Sequence, residues 1–232
     1  MSAPDAFRVS VVIPAWNAAA YVGEAIDSVL SQSEPAFEII VVDDGSSDET
    51  ARAVRSFAPR AMLVEQGNAG PGAATNRGLS VARGDFFGFL DADDLWTRDK
   101  LSFQRAAFAQ DDRLEAVYGH VEQFFSPELD AETRRSLRLP PGPMPGLVRG
   151  AMVVRRRSFE RVGDFRPAFG ASDFIDWYAR AGETGLRSKL VAEVVLKRRV
   201  HARNMGLQDR KGQHENYLRA LRATIERRRT VG

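Results

Sequence analysis

Hydrophobic positions along the chain fall into short β-branched runs separated by stretches with helical spacing. Phe7 to Ile13, ended by Pro14, and Glu38 to Val42 predict two buried strands. Ala61 to Glu65, Asp85 to Leu90 and Leu114 to Tyr118 read as a third, fourth and fifth. Between the first two, Val22, Ala25, Ile26, Val29 and Leu30 recur at helical intervals over Tyr21 to Leu30. Ser47 or Asp48 is placed to cap a helix through Phe57, with Glu49 favoured in its first turn and Pro59 closing it. Ala73 to Ala82 and Arg98 to Ala109 predict two more helices. Strands alternating with helices at this pitch imply an α/β fold, a mostly parallel central sheet with helices on both faces. Such sheets bind ligands at the carboxyl ends of their strands.

The second half is less regular. Residues 123–146 carry five prolines and little periodicity, which predicts a long surface loop or lid over the site. Leu147 to Val154 reads as a strand, followed by a short helix around Ser158 to Val162. Ser172 to Thr184 reads as a helix, Leu190 to Val200 as a strand or hairpin arm, and Gln208 to Arg229 as a final amphipathic helix. The 232 residues suit a single domain: a ligand-holding half over 1–100, a second half over 101–207 and a basic helix over 208–232.

Composition narrows the chemistry. With no cysteine, disulfides, zinc–thiolate sites and a thiol nucleophile are excluded, and a reducing cytoplasm is the expected location. No apolar run approaches the ~20 residues that span a bilayer, and Met1 to Arg8 lacks the apolar core of a leader peptide. Net charge is +2 but uneven: residues 1–100 hold 15 acids and 8 bases, residues 187–232 hold 13 bases and 4 acids. An acidic front half suits a divalent cation. The basic tail reads equally as a solvated helix face or as a contact for a membrane surface, an acidic partner or a second copy. Nothing in the pattern points to nucleic acid.

Four places concentrate reactive groups. Asp91-Ala92-Asp93-Asp94 gathers mutually repelling carboxylates just after an apolar run. A hard cation such as Mg²⁺ or Mn²⁺ would reward that arrangement, and a helix-capping turn is the plainer alternative. Asp43-Asp44 ends the second strand, where a carboxylate either accepts hydrogen bonds from a nucleotide or closes an Asx-turn. A phospho-acceptor pocket would need an aspartate after the third strand, where Glu65-Gln66-Gly67 stands. His201 lies in an arginine-rich segment, a structural imidazole or a neighbour of phosphate or metal. Asp173 and Asp176 share a helix face, either as a general base in a cleft or as first-turn acids favoured by the dipole.

Taken in order, these segments resemble the family 2 glycosyltransferases of the GT-A fold. The residues that carry the likeness are Val11-Val12-Ile13-Pro14-Ala15-Trp16-Asn17, Val41 to Asp48, Gly67-Asn68 through Leu79, and Leu90 to Asp94. Phe159 to Phe165, Asp173 to Arg180 and His201 to Asn204 complete it. The resemblance implies inverting, Mn²⁺- or Mg²⁺-dependent transfer of a hexosyl group from a UDP-sugar to an acceptor hydroxyl. It implies that Pro14, Ala15, Asn17, Asp43, Asp44, Asn76 and Asp91 hold the nucleotide, and that Asp93, His201 and Asp91 attend the metal. Asp173 is the expected base with Asp176 as the alternative, because Ser172-Asp173 stands where the family commonly has Glu-Asp. Thr75 stands where an arginine often precedes Asn76. A sugar nucleotidyltransferase would want a glycine-rich loop and a lysine where Pro14-Ala15-Trp16-Asn17 lies. A non-catalytic nucleotide-sugar module would have no use for the retained carboxylates.

Overall fold

The structure, a computed structural model, describes residues 7–137, 139–202, 204 and 210–231. Strands β1 (Val9–Ala15), β2 (Glu38–Asp44), β3 (Met62–Gln66) and β4 (Phe86–Phe89) pair in parallel in the order β3-β2-β1-β4. Helices α1 (Val22–Leu30), α2 (Thr50–Arg55) and α3 (Pro71–Val81) connect them. Strand residues alternate faces: Val9, Val11 and Ile13 pack with Ile26 of α1 and Val54 of α2, and Val12 packs with Ala74 and Leu79 of α3. Helices therefore cover both faces, as the alternation of elements implies.

The sheet continues as β4-β8-β6-β9-β5, formed by β5 (Leu95–Trp96), β6 (Ala116–Phe125), β8 (Val153–Arg155) and β9 (Ser188–Val200). Here β8 is antiparallel to both β4 and β6, β9 is parallel to β6, and β5 is antiparallel to β9. A two-residue strand, β7 (Met144–Pro145), lies against β6. Helices α4 (Lys100–Gln110), α5 (Ala131–Ser136), α6 (Arg156–Val162) and α7 (Asp173–Glu183) complete the body. Helix α8 (Arg210–Val231) packs on α7 and the turn before it. No described helix is long and apolar enough to cross a membrane. The predicted onset of the last helix at Gln208, and Arg203 beside His201, lie outside the described residues.

Two expectations of the second half are corrected. The proline-rich segment is not one loop from 123: β6 runs on to Phe125, because Gln123, Phe124 and Phe125 continue the ladder against Arg198, Arg199 and Val200. Asp130 then caps α5, accepting from the Thr133 N–H at 2.7 Å. Leu147 to Val154 is likewise not one strand. A 3-10 turn, Arg149–Ala151, interrupts it, and only Val153–Arg155 joins the sheet. Two buried donors hold that turn: Trp96 Nε1 to the Gly150 carbonyl at 3.1 Å, and Gln104 Nε2 to the Ala151 carbonyl at 2.9 Å.

Candidate active site

Because β1, β2 and β4 are parallel and in register, Pro14-Ala15, Asp43-Asp44 and the segment after Phe89 emerge at one edge of the sheet. Ala15 lies opposite Asp43. The two acids of the pair then part company. Asp44 is saturated, accepting from Gln66 Nε2, the Ala69 N–H and the Gly70 N–H, each at 2.8 Å. Asp43 accepts only from the Ser46 N–H at 3.1 Å among the described residues, which leaves its second oxygen available. Gly45, at φ +72°, makes this turn; a Cβ there would stand 2.8 Å from the Asn68 nitrogen.

Asn17 and Asn76, both expected at the nucleotide, have their amides engaged within the protein. Asn17 Oδ1 accepts from the Ser47 N–H at 2.9 Å, and the Asn17 N–H donates to Ser46 Oγ, tying the loop after β1 to the loop after β2. Asn76 clasps the backbone of Phe165, donating to its carbonyl at 2.7 Å and accepting from its N–H at 3.2 Å. Thr75 is buried and bonds back to Pro71, while Arg77 is exposed. The cation near the site comes from elsewhere.

That cation is Arg149. Its Nη2 lies 3.2 Å from Asp91 Oδ1, and its Nη1 lies 3.3 Å from Asp173 Oδ2. One guanidinium thus joins the half-exposed carboxylate after β4 to the buried carboxylate at the start of α7. Burial pushes the Asp173 carboxyl above the ordinary carboxylate range, opposed by the Arg149 charge. Gly72 makes room for it: a Cβ there would fall 2.4 Å from Asp173 Oδ2. Asp176 has a different setting, bonded to Arg180 Nε at 2.8 Å and Arg227 Nη1 at 3.0 Å, with Arg166 at 3.7 Å. It knits α7 to α8 rather than facing the sheet edge.

Two residues beyond Asp91, Asp93 Oδ2 and His201 Nε2 meet at 2.9 Å although 108 residues apart in sequence. Asn204 Nδ2 stands 3.4 Å from the same oxygen. Asp94 lies beneath, accepting from the Arg199 N–H at 2.8 Å. Burial, then the charges of Asp93 and Asp91, push its carboxyl well up. A cleft of ≈590 Å³ opens beside His201, walled by Asn17, Tyr21, Asp48, Glu128 and Arg199. Tyr21 stacks obliquely on His201, ring centroids 4.6 Å apart, and donates its hydroxyl to Glu128.

The Asp93–His201 pair suits a divalent cation. It offers one carboxylate oxygen and one imidazole nitrogen, and no group of three or more acidic or histidine ligands occurs among the described residues. An ion bound by so few protein ligands relies on phosphate oxygens and water for the remainder, the usual habit of Mg²⁺ and Mn²⁺ at nucleotides.

Arg149, Gly72 and Tyr21 are absent from the sequence-derived site. For Arg149 a signal existed: a charged residue inside a run read as a buried strand marks a buried cation in need of partners. Gly72 carried no such mark, since its purpose is an absent side chain.

Comparison with known proteins identifies the family and the fold. The model of glycosyl transferase family 2 matches residues 10–163. The putative teichuronic acid biosynthesis glycosyltransferase TuaG of Bacillus subtilis is 39% identical over 101 residues, 41% of this chain and 40% of that protein. Chondroitin synthase of Escherichia coli is 34% identical over 113 residues, 47% of this chain and 16% of that protein. Such matches span less than half the length of these curated relatives. Among solved structures, the mannosyltransferase PcManGT of Pyrobaculum calidifontis in complex with GDP-Man and Mn²⁺ superposes with a TM-score of 0.71 at 27% identity. The match covers 97% of this chain and 66% of that one. S. aureus TarS 1-349 in complex with UDP-GlcNAc gives 0.72 at 20% identity, covering 94% and 65%. With the family model matching well over half of its length and the fold shared throughout, the chain belongs to glycosyl transferase family 2 and has the GT-A architecture.

Proposed function

We propose that this site transfers a hexosyl group from a nucleoside-diphosphate sugar to an acceptor hydroxyl, with inversion at the anomeric carbon. The observation that carries the reading is the meeting of Asp93 and His201 just beyond β4, with the nearby Asp91 bridged by Arg149 to Asp173. In this reading Asp43, with its free oxygen, receives donors of the base or ribose beside Pro14 and Ala15. Asp44, Asn17 and Asn76 hold the surrounding loops in place. Asp91 faces the ribose, and Asp93 with His201 holds Mn²⁺ or Mg²⁺. A divalent ion there would offset the charge of the departing diphosphate.

The acceptor oxygen attacks the anomeric carbon from the face opposite the diphosphate, the bond to the diphosphate oxygen breaks, and the acceptor proton passes to Asp173. Base catalysis requires Asp173 ionised; burial raises its carboxyl pKa and the Arg149 charge acts against that rise. UDP-sugars are the first choice of donor. The likeness to PcManGT, whose complex holds GDP-Man, favours GDP-sugars as the second.

The test is nucleotide release from a panel of UDP- and GDP-sugars, with Mn²⁺, with Mg²⁺ and with a chelator. Release from at least one donor, lost with the chelator and in Asp93→Ala, is expected. Nucleotide binding without release from any donor would instead identify a binding module.

A further inference from the structure

We propose that Arg149 is a positioning residue that sets the distance between the donor-side carboxylate and the base. The inference rests on the reading of Asp173 just given. Asp91 and Asp173 belong to segments with separate supports, the loop after β4 and the start of α7, and both carboxylates bind one guanidinium, at 3.2 Å and 3.3 Å. A planar fork with donors at fixed angles transmits geometry in a way a flexible ammonium does not.

The fork itself is anchored. Arg149 opens the 3-10 turn whose next two carbonyls, those of Gly150 and Ala151, accept from Trp96 Nε1 and Gln104 Nε2. The same indole N–H also reaches the Phe89 carbonyl at 3.2 Å, at the end of the strand that leads to Asp91. Turn and strand are thus pinned to a single donor from below. The Phe165 ring lies 5.5 Å from the guanidinium carbon, and Asn76 of α3 clasps the Phe165 backbone. On its far side Asp173 abuts Gly72, so it can neither retreat toward α3 nor turn away without losing Arg149.

A base displaced by even an ångström forfeits much of the benefit of orientation, roughly 100-fold in rate. Asp91 is only one of the donor contacts, beside Asp43, Pro14 and Ala15 at the ends of β1 and β2, so nucleotide affinity is expected to change far less than kcat. The test compares wild type with Arg149→Gln and Arg149→Lys. It measures affinity for UDP with Mn²⁺ (or GDP, if the panel selects it) and kcat on the donor that wild type turns over. Circular dichroism and thermal melts confirm folding. Arg149→Gln should lower kcat by about 100-fold while nucleotide affinity stays within about threefold. Arg149→Lys, which keeps charge but not the fork, should recover only part of the loss.

Wild-type kcat in Arg149→Gln, full recovery in Arg149→Lys, or a loss confined to nucleotide affinity would each overturn the proposal. Asp173→Asn run alongside separates the two readings. If Asp173→Asn is inactive and Arg149→Gln is unimpaired, the arginine's role fails by itself. If Asp173→Asn transfers at the wild-type rate, the base assignment fails first.

Discussion

Two pairs of neighbouring aspartates show how unlike the work of identical side chains can be. Asp44 is spent on three donors of its own fold, while Asp43, one residue earlier, keeps an oxygen free. Asp176 is locked among arginines, while Asp173, one turn earlier, faces Gly72 and Arg149. Substitution should separate the second pair. Asp176→Asn removes the carboxylate charge facing Arg180 and one of the two facing Arg227, whose other is Glu183, and should cost about 3 kcal/mol of stability. Asp173→Asn should abolish transfer yet be at least as stable as wild type near neutral pH. The sign follows from the raised carboxyl. The folded chain binds that proton more tightly than the unfolded one, so ionising Asp173 costs stability above its folded pKa, and the cost vanishes as pH falls through it. Since the base must be ionised to act, the acid limb of kcat/KM should sit above the ordinary aspartate value of about 4. Thermal melts and a pH–rate profile check both; a limb at or below that value would speak against Asp173.

Among the elements, α4 holds the least comfortable group in the core. Lys100 is wholly buried, its amine has no hydrogen-bond partner among the described residues, and Nζ lies 4.7 Å from the centre of the Trp96 ring. Burial holds its pKa well below the usual lysine value. As pH falls through the lysine range of the unfolded chain, that chain takes up a proton which the folded one refuses, and stability is lost. Lys100→Met, of similar volume, should therefore stabilise by about 1–3 kcal/mol at neutral pH, the usual cost of an unpartnered buried polar group. The advantage should shrink toward pH 10. Melting temperatures of both proteins across that range decide it; a destabilised variant would show that Lys100 has a partner in solution.

For the molecule as a whole, the consequence is linkage between distant parts of the sheet. Asp93 follows β4 and His201 follows β9, so a ligand that engages both ties one strand end to the other. A ligand that binds only the folded chain stabilises it by mass action, by about 2.7 kcal/mol at a hundred times its dissociation constant. UDP with Mn²⁺ should raise the melting temperature more than UDP with a chelator. In Asp93→Ala the metal-dependent part of that rise should disappear.

Local pattern was enough for the parallel half of the sheet. β-branched runs and helical spacing are short-range signals, and two parallel strands necessarily present their carboxyl ends together, so the convergence of Asp43 and Asp91 at one sheet edge was legible. Order of motifs likewise paired Asp93 with His201 through resemblance. The extension of β6 to Phe125 was not legible, because what orders Phe124 and Phe125 is β9, some seventy residues downstream. Nor could proximity in sequence tell Asp43 from Asp44 or Asp173 from Asp176. Hydrogen-bond partners make that distinction, and they arrive from β3, the loop before α3, α8 and the turn at Arg149 only once the chain has folded. Local propensity acts over a few residues, whereas a carboxylate's chemistry depends on whatever surrounds it within a few ångströms, and those neighbours are supplied by the tertiary fold.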